Sequence, residues 1–310
     1  MATKNSPDNI LAYSAVIIAM IIWSSAGIAT KIALRSFSPL TLVTLRFTIA
    51  VLLMLVIGLA SGTLQKIERK HIPMFLLAGF FQPFLYYVCE TYGMRLMNSP
   101  TVAEVFLCTS PILAPVFAFV LIREHVTLRN IIGILISTGG VILMLTIGNN
   151  NFSIGSPWGV VLCFAAVISA VLYTIILRKF PDKYTNLSIV FYVQLSGLIF
   201  FYPMWAVLDL PQLIGTPLQW SDIAIPFGSI VYLAAFSSVL AFILFSYTIR
   251  RIGVTRANAF NNIRPVFTAL LMFLFFNEQL PMSKWLAMLL VIIGLFICQH
   301  EKTPHNSKLH

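Results

Sequence analysis

SPILAPVFAFVLIRE, residues 110–124, lies on RPVFTALLMFLFFNE, residues 264–278, without a gap when Pro111 is set on Pro265. The offset, 265 − 111 = 154, also holds outside that stretch. It carries Thr101 onto Thr255, Ala103 onto Ala257, Phe119 onto Phe273, Glu124 onto Glu278 and Gly140 onto Gly294. Each residue keeps its place relative to an apolar run, and self-similarity at a fixed offset is the signature of a duplicated unit. A weaker match sets Lys31 of KIALR near Arg178 of LRKF, each closing the first apolar run of its half.

What is duplicated is apolar throughout. The 310 residues are 59% hydrophobic and 10% charged, with a mean hydropathy of +0.91, whereas soluble domains are about 25% charged. A membrane-spanning helix needs roughly 20 mostly apolar residues. Runs of that kind fall at 10–34, 39–62, 73–93, 99–122 and 127–147, then at 157–177, 187–208, 223–247, 254–276 and 283–299. The expected fold is therefore all-α and integral to the membrane: ten transmembrane helices as two five-helix repeats, residues 1–148 and 149–300, with a tail at 301–310.

The basic residues test this map, since positive loops stay on the cytoplasmic side. Of the 20 Lys and Arg, Arg46 and Arg264 fall deep inside runs; of the others, at or near run ends, fourteen lie on one side and four (Lys31, Arg35, Arg95 and Lys284) on the other. Both termini are expected to be cytoplasmic. An odd number of spans per half makes the two copies face opposite ways, so the repeat is inverted. Inverted repeats around a central site let a carrier expose that site alternately to each side.

Other classes fit poorly. Cys89, Cys108, Cys163 and Cys298 all sit within apolar runs without metal-ligand spacing, and the five histidines lie at run ends or beyond the last run, so neither metal nor cofactor is expected. Scattered basic loops, rather than a basic stripe, argue against nucleic acid. The run from residue 10 exceeds a signal-peptide core and has a counterpart in the second half, which makes it an uncleaved first span. There is neither a catalytic constellation nor a phosphate-binding Gly-x-x-x-x-Gly-Lys loop, as a gradient-driven carrier rather than an enzyme requires. The expected partners are a small-molecule metabolite and the lipid bilayer, for a monomer or homodimer.

The residues resemble those of the EamA type of the drug/metabolite transporter superfamily over nearly the whole chain. Carrying the likeness are Leu45-Arg46-Phe47, Cys89-Glu90-Thr91-Tyr92-Gly93, and the stretch from Ser110-Pro111 through Arg123-Glu124 to Gly139-Gly140, echoed by Arg264-Pro265 through Asn277-Glu278 to Gly294. The family's usual Gly-Glu before the last helix of each half stands here as Arg123-Glu124 and Asn277-Glu278. The resemblance implies an exporter of amino acids, related metabolites or drugs in the cytoplasmic (inner) membrane. The alternative within the superfamily is an antiporter of sugar phosphates or nucleotide sugars, for whose multiply charged cargo two arginines beside two glutamates are poorly suited. A membrane-embedded enzyme or a structural bundle is the alternative of another class.

Charges in hydrocarbon cost about 2.5–3.5 kcal/mol each on insertion scales, so those within spans are expected to face inward. Arg46, Glu90 and Glu104 stand at depths that differ by roughly 6 Å at 1.5 Å per residue, an expected gating or proton-coupling cluster. Arg264 lies near mid-membrane, a turn from Asn258, Asn261 and Asn262; its planar fork suits a carboxylate and the asparagines an amino or hydroxyl group. Trp23 and Tyr86 are the expected aromatic contacts, with Tyr87, Gln82 and Gln194 as further lining. Pro111 and Pro265 are the expected hinges. Glu124 and Glu278 are expected to cap the helices that follow them, and Gly133, Ser137 and Gly140 to form a close-packing face.

Overall fold

The computed structural model describes residues 7–96, 106–107, 109–147, 156–215, 220–276 and 281–299, all helix and short connections with no strand among them. Eight helices are long and apolar enough to cross a membrane. The fourth predicted span is represented by the shorter helix Ser110–Ile122. The ninth is an interrupted run: Val254–Ala259, a 3-10 turn Phe260–Ile263, then Arg264–Phe276. The described residues thus do not give ten long helices one for one, since the ninth run is interrupted and the fourth is described only in part. Large side chains such as Phe119, Trp158, Val207 and Phe296 point outward, the surface expected of a bundle whose solvent is lipid.

Helix ends follow local chemistry. The second span, Pro39–Ala60, starts at Ser38, whose Oγ accepts from Thr41 N at 3.3 Å, with proline at the first turn where no N–H is needed. The fifth span, Leu128–Thr146, opens with a reciprocal box: Thr127 Oγ1 accepts from Asn130 N at 3.3 Å, and Asn130 Oδ1 accepts from Thr127 N at 2.9 Å.

The packing carries the duplication into three dimensions. The third span, Ile72–Gly79 continued through a widened turn at Phe80–Leu85 into Tyr86–Leu96, packs on the sixth, Pro157–Lys179. Its repeat counterpart, the eighth, has the same build: Trp220–Tyr232, a widened turn Leu233–Leu240, then Ala241–Ile252. It packs on the first span, Pro7–Ala33. The second span lies along its own counterpart, the seventh, Asn186–Leu208.

The fifth and tenth spans, Leu128–Thr146 and Met282–Gln299, meet antiparallel on bare backbone. A Cβ at Gly133 would stand 2.3 Å from Cys298 N; one at Gly294, 2.4 Å from Ser137 N; one at Gly140, 2.9 Å from Ala287 O. Without a hydrophobic drive between helices in lipid, such close approach is what holds two spans together. Antiparallel contact between repeat-equivalent helices is also what an inverted pair of halves must make.

Candidate functional site

The break in the ninth span places Arg264. Pro265 follows it as the second residue of Arg264–Phe276, just as Pro111 is the second residue of Ser110–Ile122. A proline there removes no helix hydrogen bond. The expected hinge prolines thus each stand just after a tight turn, and in the second half the backbone on either side of that turn, at Ala259 and Arg264, is right-handed helical. In the second half that turn is Phe260–Ile263. The offset of 154 carries it onto Phe106 and Thr109, where Thr109 N donates to Phe106 O at 3.0 Å. Discontinuous helices at repeat-equivalent positions are where secondary transporters build their sites.

The first span fastens the break. Ser24 Oγ donates to Arg264 O at 3.0 Å, and Ser24 O accepts from Thr268 Oγ1 at 3.4 Å. Beside it Trp23 donates Nε1 to Ser237 O at 3.1 Å and is held by the rings of Phe242 and Phe245, 5.4 and 5.0 Å away. Over the face of this fixed indole stands the Arg264 guanidinium, 5.9 Å from the ring centroid, a cation–π placement. Tyr86 donates to Glu90 Oε1 at 2.7 Å, and its hydroxyl lies within electrostatic range of both Glu90 and Arg264. Arg264 over Trp23 and Tyr86 with Glu90 are thus two pairs within electrostatic range of each other, a cation and an anion among amphipathic rings.

Arg46 joins them at one remove. It is 5% exposed and donates Nε to Ser238 Oγ at 2.7 Å and Nη2 to Ser237 Oγ at 2.9 Å and Tyr87 OH at 3.2 Å. The expected cluster of Arg46 with Glu90 and Glu104 takes this other form, with Glu104 lying outside the described residues. The physical reason is the widened turn of the eighth span, which sets two successive hydroxyls against a buried guanidinium that needs its donors satisfied. Gln194 steadies that turn by donating Nε2 to Ser238 O. Tyr87 packs edge-on to Tyr86, with centroids 5.0 Å apart, and so links the Arg46 network to Glu90.

Two of the three asparagines serve the break itself. Asn258, 1% exposed, donates to Thr174 Oγ1 at 3.2 Å and Val254 O at 2.9 Å; Asn262, wholly buried, donates to Ser137 Oγ at 2.8 Å and Thr138 Oγ1 at 2.9 Å. They tie the interrupted helix to the sixth and fifth spans, so the side chains expected as solute contacts are engaged with the protein itself. Asn261 is half-buried and donates to Asn258 Oδ1 at 3.3 Å.

Glu124 differs most from its sequence reading. Its carboxylate accepts from Val254 N and Thr255 N, each at 2.9 Å, and so caps the ninth span of the other repeat. The fifth span, which follows it in sequence, has its own cap in Thr127 and Asn130; that Thr-x-x-Asn spacing was the available signal that the acid was spare. Arg123 ends its helix with a φ of +52°, in the left-handed region that favours glycine, which gives the family's usual Gly-Glu a physical reason. Glu278 lies outside the described residues. Among those described, no group of three or more His, Cys, Asp or Glu is placed to hold a metal.

Comparison with known proteins agrees with this architecture. The profile described as EamA-like transporter family matches the chain twice, over residues 10–146 and 157–298. A Bacillus subtilis protein named uncharacterized transporter YetK is 27% identical over 298 residues, covering 94% of this chain and 87% of its own length. A Streptantibioticus cattleyicolor protein named probable terminal-alkyne amino-acid exporter is 23% identical over 269 residues, 86% of each chain. A solved crystal structure superposes with a TM-score of 0.76 at 18% identity, covering 93% of this chain and 96% of that one.

Proposed function

This chain belongs to the EamA-like transporter family, and on that premise we propose that it exports small amphipathic metabolites, amino acids or close relatives, across the cytoplasmic membrane by alternating access. Both termini then face the cytoplasm, as the bias of basic loops requires. The carrier works as a monomer or homodimer on gradients of solute, ion or proton.

The observation that carries this reading is the seat of Arg264: it begins a helix after a break, it stands over Trp23, and it shares the neighbourhood of Tyr86 with Glu90. A zwitterion offers each charge its complement, its carboxylate to the guanidinium fork and its ammonium to Glu90, while Trp23 and Tyr86 take the apolar remainder. Asn261 supplies a further amide. The name of the Streptantibioticus relative, an amino-acid exporter, favours the same cargo class.

The test is metabolite profiling of spent medium from cells producing the intact protein or its Arg264→Ala variant at matched levels. Amino-acid-like solutes should accumulate outside with the intact protein alone. Media indistinguishable from an empty-vector control, followed by no uptake or exchange in proteoliposomes, would overturn the reading.

A further inference from the structure

Buried hydroxyls in this bundle commonly return to the carbonyl one turn earlier: Ser24 Oγ donates to Met20 O at 2.7 Å, Thr44 Oγ1 to Leu40 O at 2.8 Å and Ser196 Oγ to Tyr192 O at 2.7 Å. Ser237 and Ser238 do not. Both lie in the widened turn Leu233–Leu240, both are buried, and each hydroxyl oxygen accepts from Arg46. Neither hydroxyl donates to another described residue, and neither does that of Tyr87, which accepts from the same guanidinium.

A fourth hydroxyl joins these three. Tyr173 is 1% exposed, and its OH has no hydrogen-bond partner. Its ring meets that of Phe242 at 6.3 Å, Phe242 meets Trp23, and Trp23 donates to Ser237 O. The Tyr173 hydroxyl also lies within electrostatic range of that of Tyr87. Arg46 spends Nε and both hydrogens of Nη2 on hydroxyls, which leaves Nη1 without a partner among the described residues. No carboxylate pairs with it there; instead the ring faces of Phe47 and Tyr87 flank it at 5.3 and 5.2 Å. In this neighbourhood the unmatched acceptor is Gln194 Oε1, whose two lone pairs fall short of the four hydroxyl hydrogens and the two on Nη1. What is missing is an acceptor, beside a cation.

We propose that Arg46 and the hydroxyls of Tyr87, Tyr173, Ser237 and Ser238 form a binding site for a small monovalent anion. Such an ion accepts several hydrogen bonds at once, and bonds to a charged group are stronger than those between neutral ones. One negative charge matches one guanidinium, whereas a dianion would bring a second charge to a buried place that has no cation for it. The same chemistry comes from free chloride or from a carboxylate of the solute. With chloride the site stands apart from the export reading; with a carboxylate it rests on that reading and adds a second acidic group to the cargo. Binding is measured without solute flux in both cases, so failure here and failure of export are separate results.

The experiment is thermal unfolding of the purified full-length protein in neutral detergent and sodium methanesulfonate, a bulky weak acceptor. One arm replaces methanesulfonate with chloride at constant ionic strength, and the other replaces it with acetate. The expected result is a rise in midpoint of about 2–4 °C. A rise with chloride identifies a halide site, a rise with acetate alone a carboxylate site, and a rise with both a site that takes either. Arg46→Gln should abolish the rise, and Arg264→Gln should keep it. Tyr173→Phe guards against misfolding: having lost only an unpartnered hydroxyl, it should unfold no lower than wild type in methanesulfonate, yet gain less from the anion. A purely structural role for Tyr173 would move both midpoints alike. No rise in either arm, or a rise of full size in Tyr173→Phe, would overturn the proposal.

Discussion

The carboxylate of Glu124 stands where a side chain at Gly253 would begin: a Cβ there would lie 3.2 Å from both of its oxygens. Gly253 has a φ of +91° and leads directly into the helix that Glu124 caps. One half of the chain thus supplies the anion, and the other supplies a glycine to admit it and two N–H groups to bind it.

Loss of that cap is expected to weaken the junction of the halves. Glu124→Ala leaves two backbone donors of a buried helix start unmet and should cost about 1–3 kcal/mol, read as a lowered unfolding midpoint in detergent. Gly253→Ala should be destabilising through both its backbone conformation and the carboxylate; a midpoint equal to wild type in either variant would show the cap to be idle.

Arg264→Lys keeps the charge but loses the planar fork. If a carboxylate is held there, flux should fall by about tenfold or more, the equivalent of about 1.4 kcal/mol, with folding unchanged. Full activity in proteoliposomes would remove carboxylate recognition from this residue.

The glycine seam makes a steric prediction. Gly133→Val and Gly294→Val each push a branched side chain into backbone closer than 2.5 Å to the new Cβ, so yields of folded protein should drop sharply. Gly139→Val, where a Cβ meets nothing within 4 Å, should be tolerated, and size-exclusion profiles of the three separate these outcomes.

Acid should act at the loop between the second and third spans. Hydrogen bonds from Lys183 and Lys70 hold the Glu68 carboxyl down from its ordinary 4.5 to about 2. A group depressed in the folded state contributes stability above about pH 4.5 and loses it as pH falls toward 2. The pair is open to solvent, so the effect is small and screened by salt. Wild type and Glu68→Gln should differ most near neutral pH and converge as pH falls through that window; a gap that widens on acidification would contradict the assignment.

Much of this was legible because lipid and duplication both write strongly in sequence. Apolar runs located the helices, and the offset from Pro111 to Pro265 located the repeated proline, although the tight turn before it was not foreseen. What escaped is non-local. The partners of Arg46 were sought among acids at similar depth, whereas they are Tyr87 and, delivered by a widened turn in another repeat that no spacing announces, Ser237 and Ser238. Glu124 was assigned to the next helix in sequence because local reading favours neighbours. Asn258 and Asn262 looked like solute contacts because polar residues at mid-membrane are as often the means of anchoring an interrupted helix as of lining a path, and composition does not distinguish the two.

The seam between the fifth and tenth spans has a consequence for ancestry. Gly133 meets Gly294, the counterpart of Gly140, and Gly140 meets Ala287, the counterpart of Gly133. Two unlinked copies of one half, inserted in opposite orientations, would present these faces to each other. The fused chain makes that antiparallel pairing permanent.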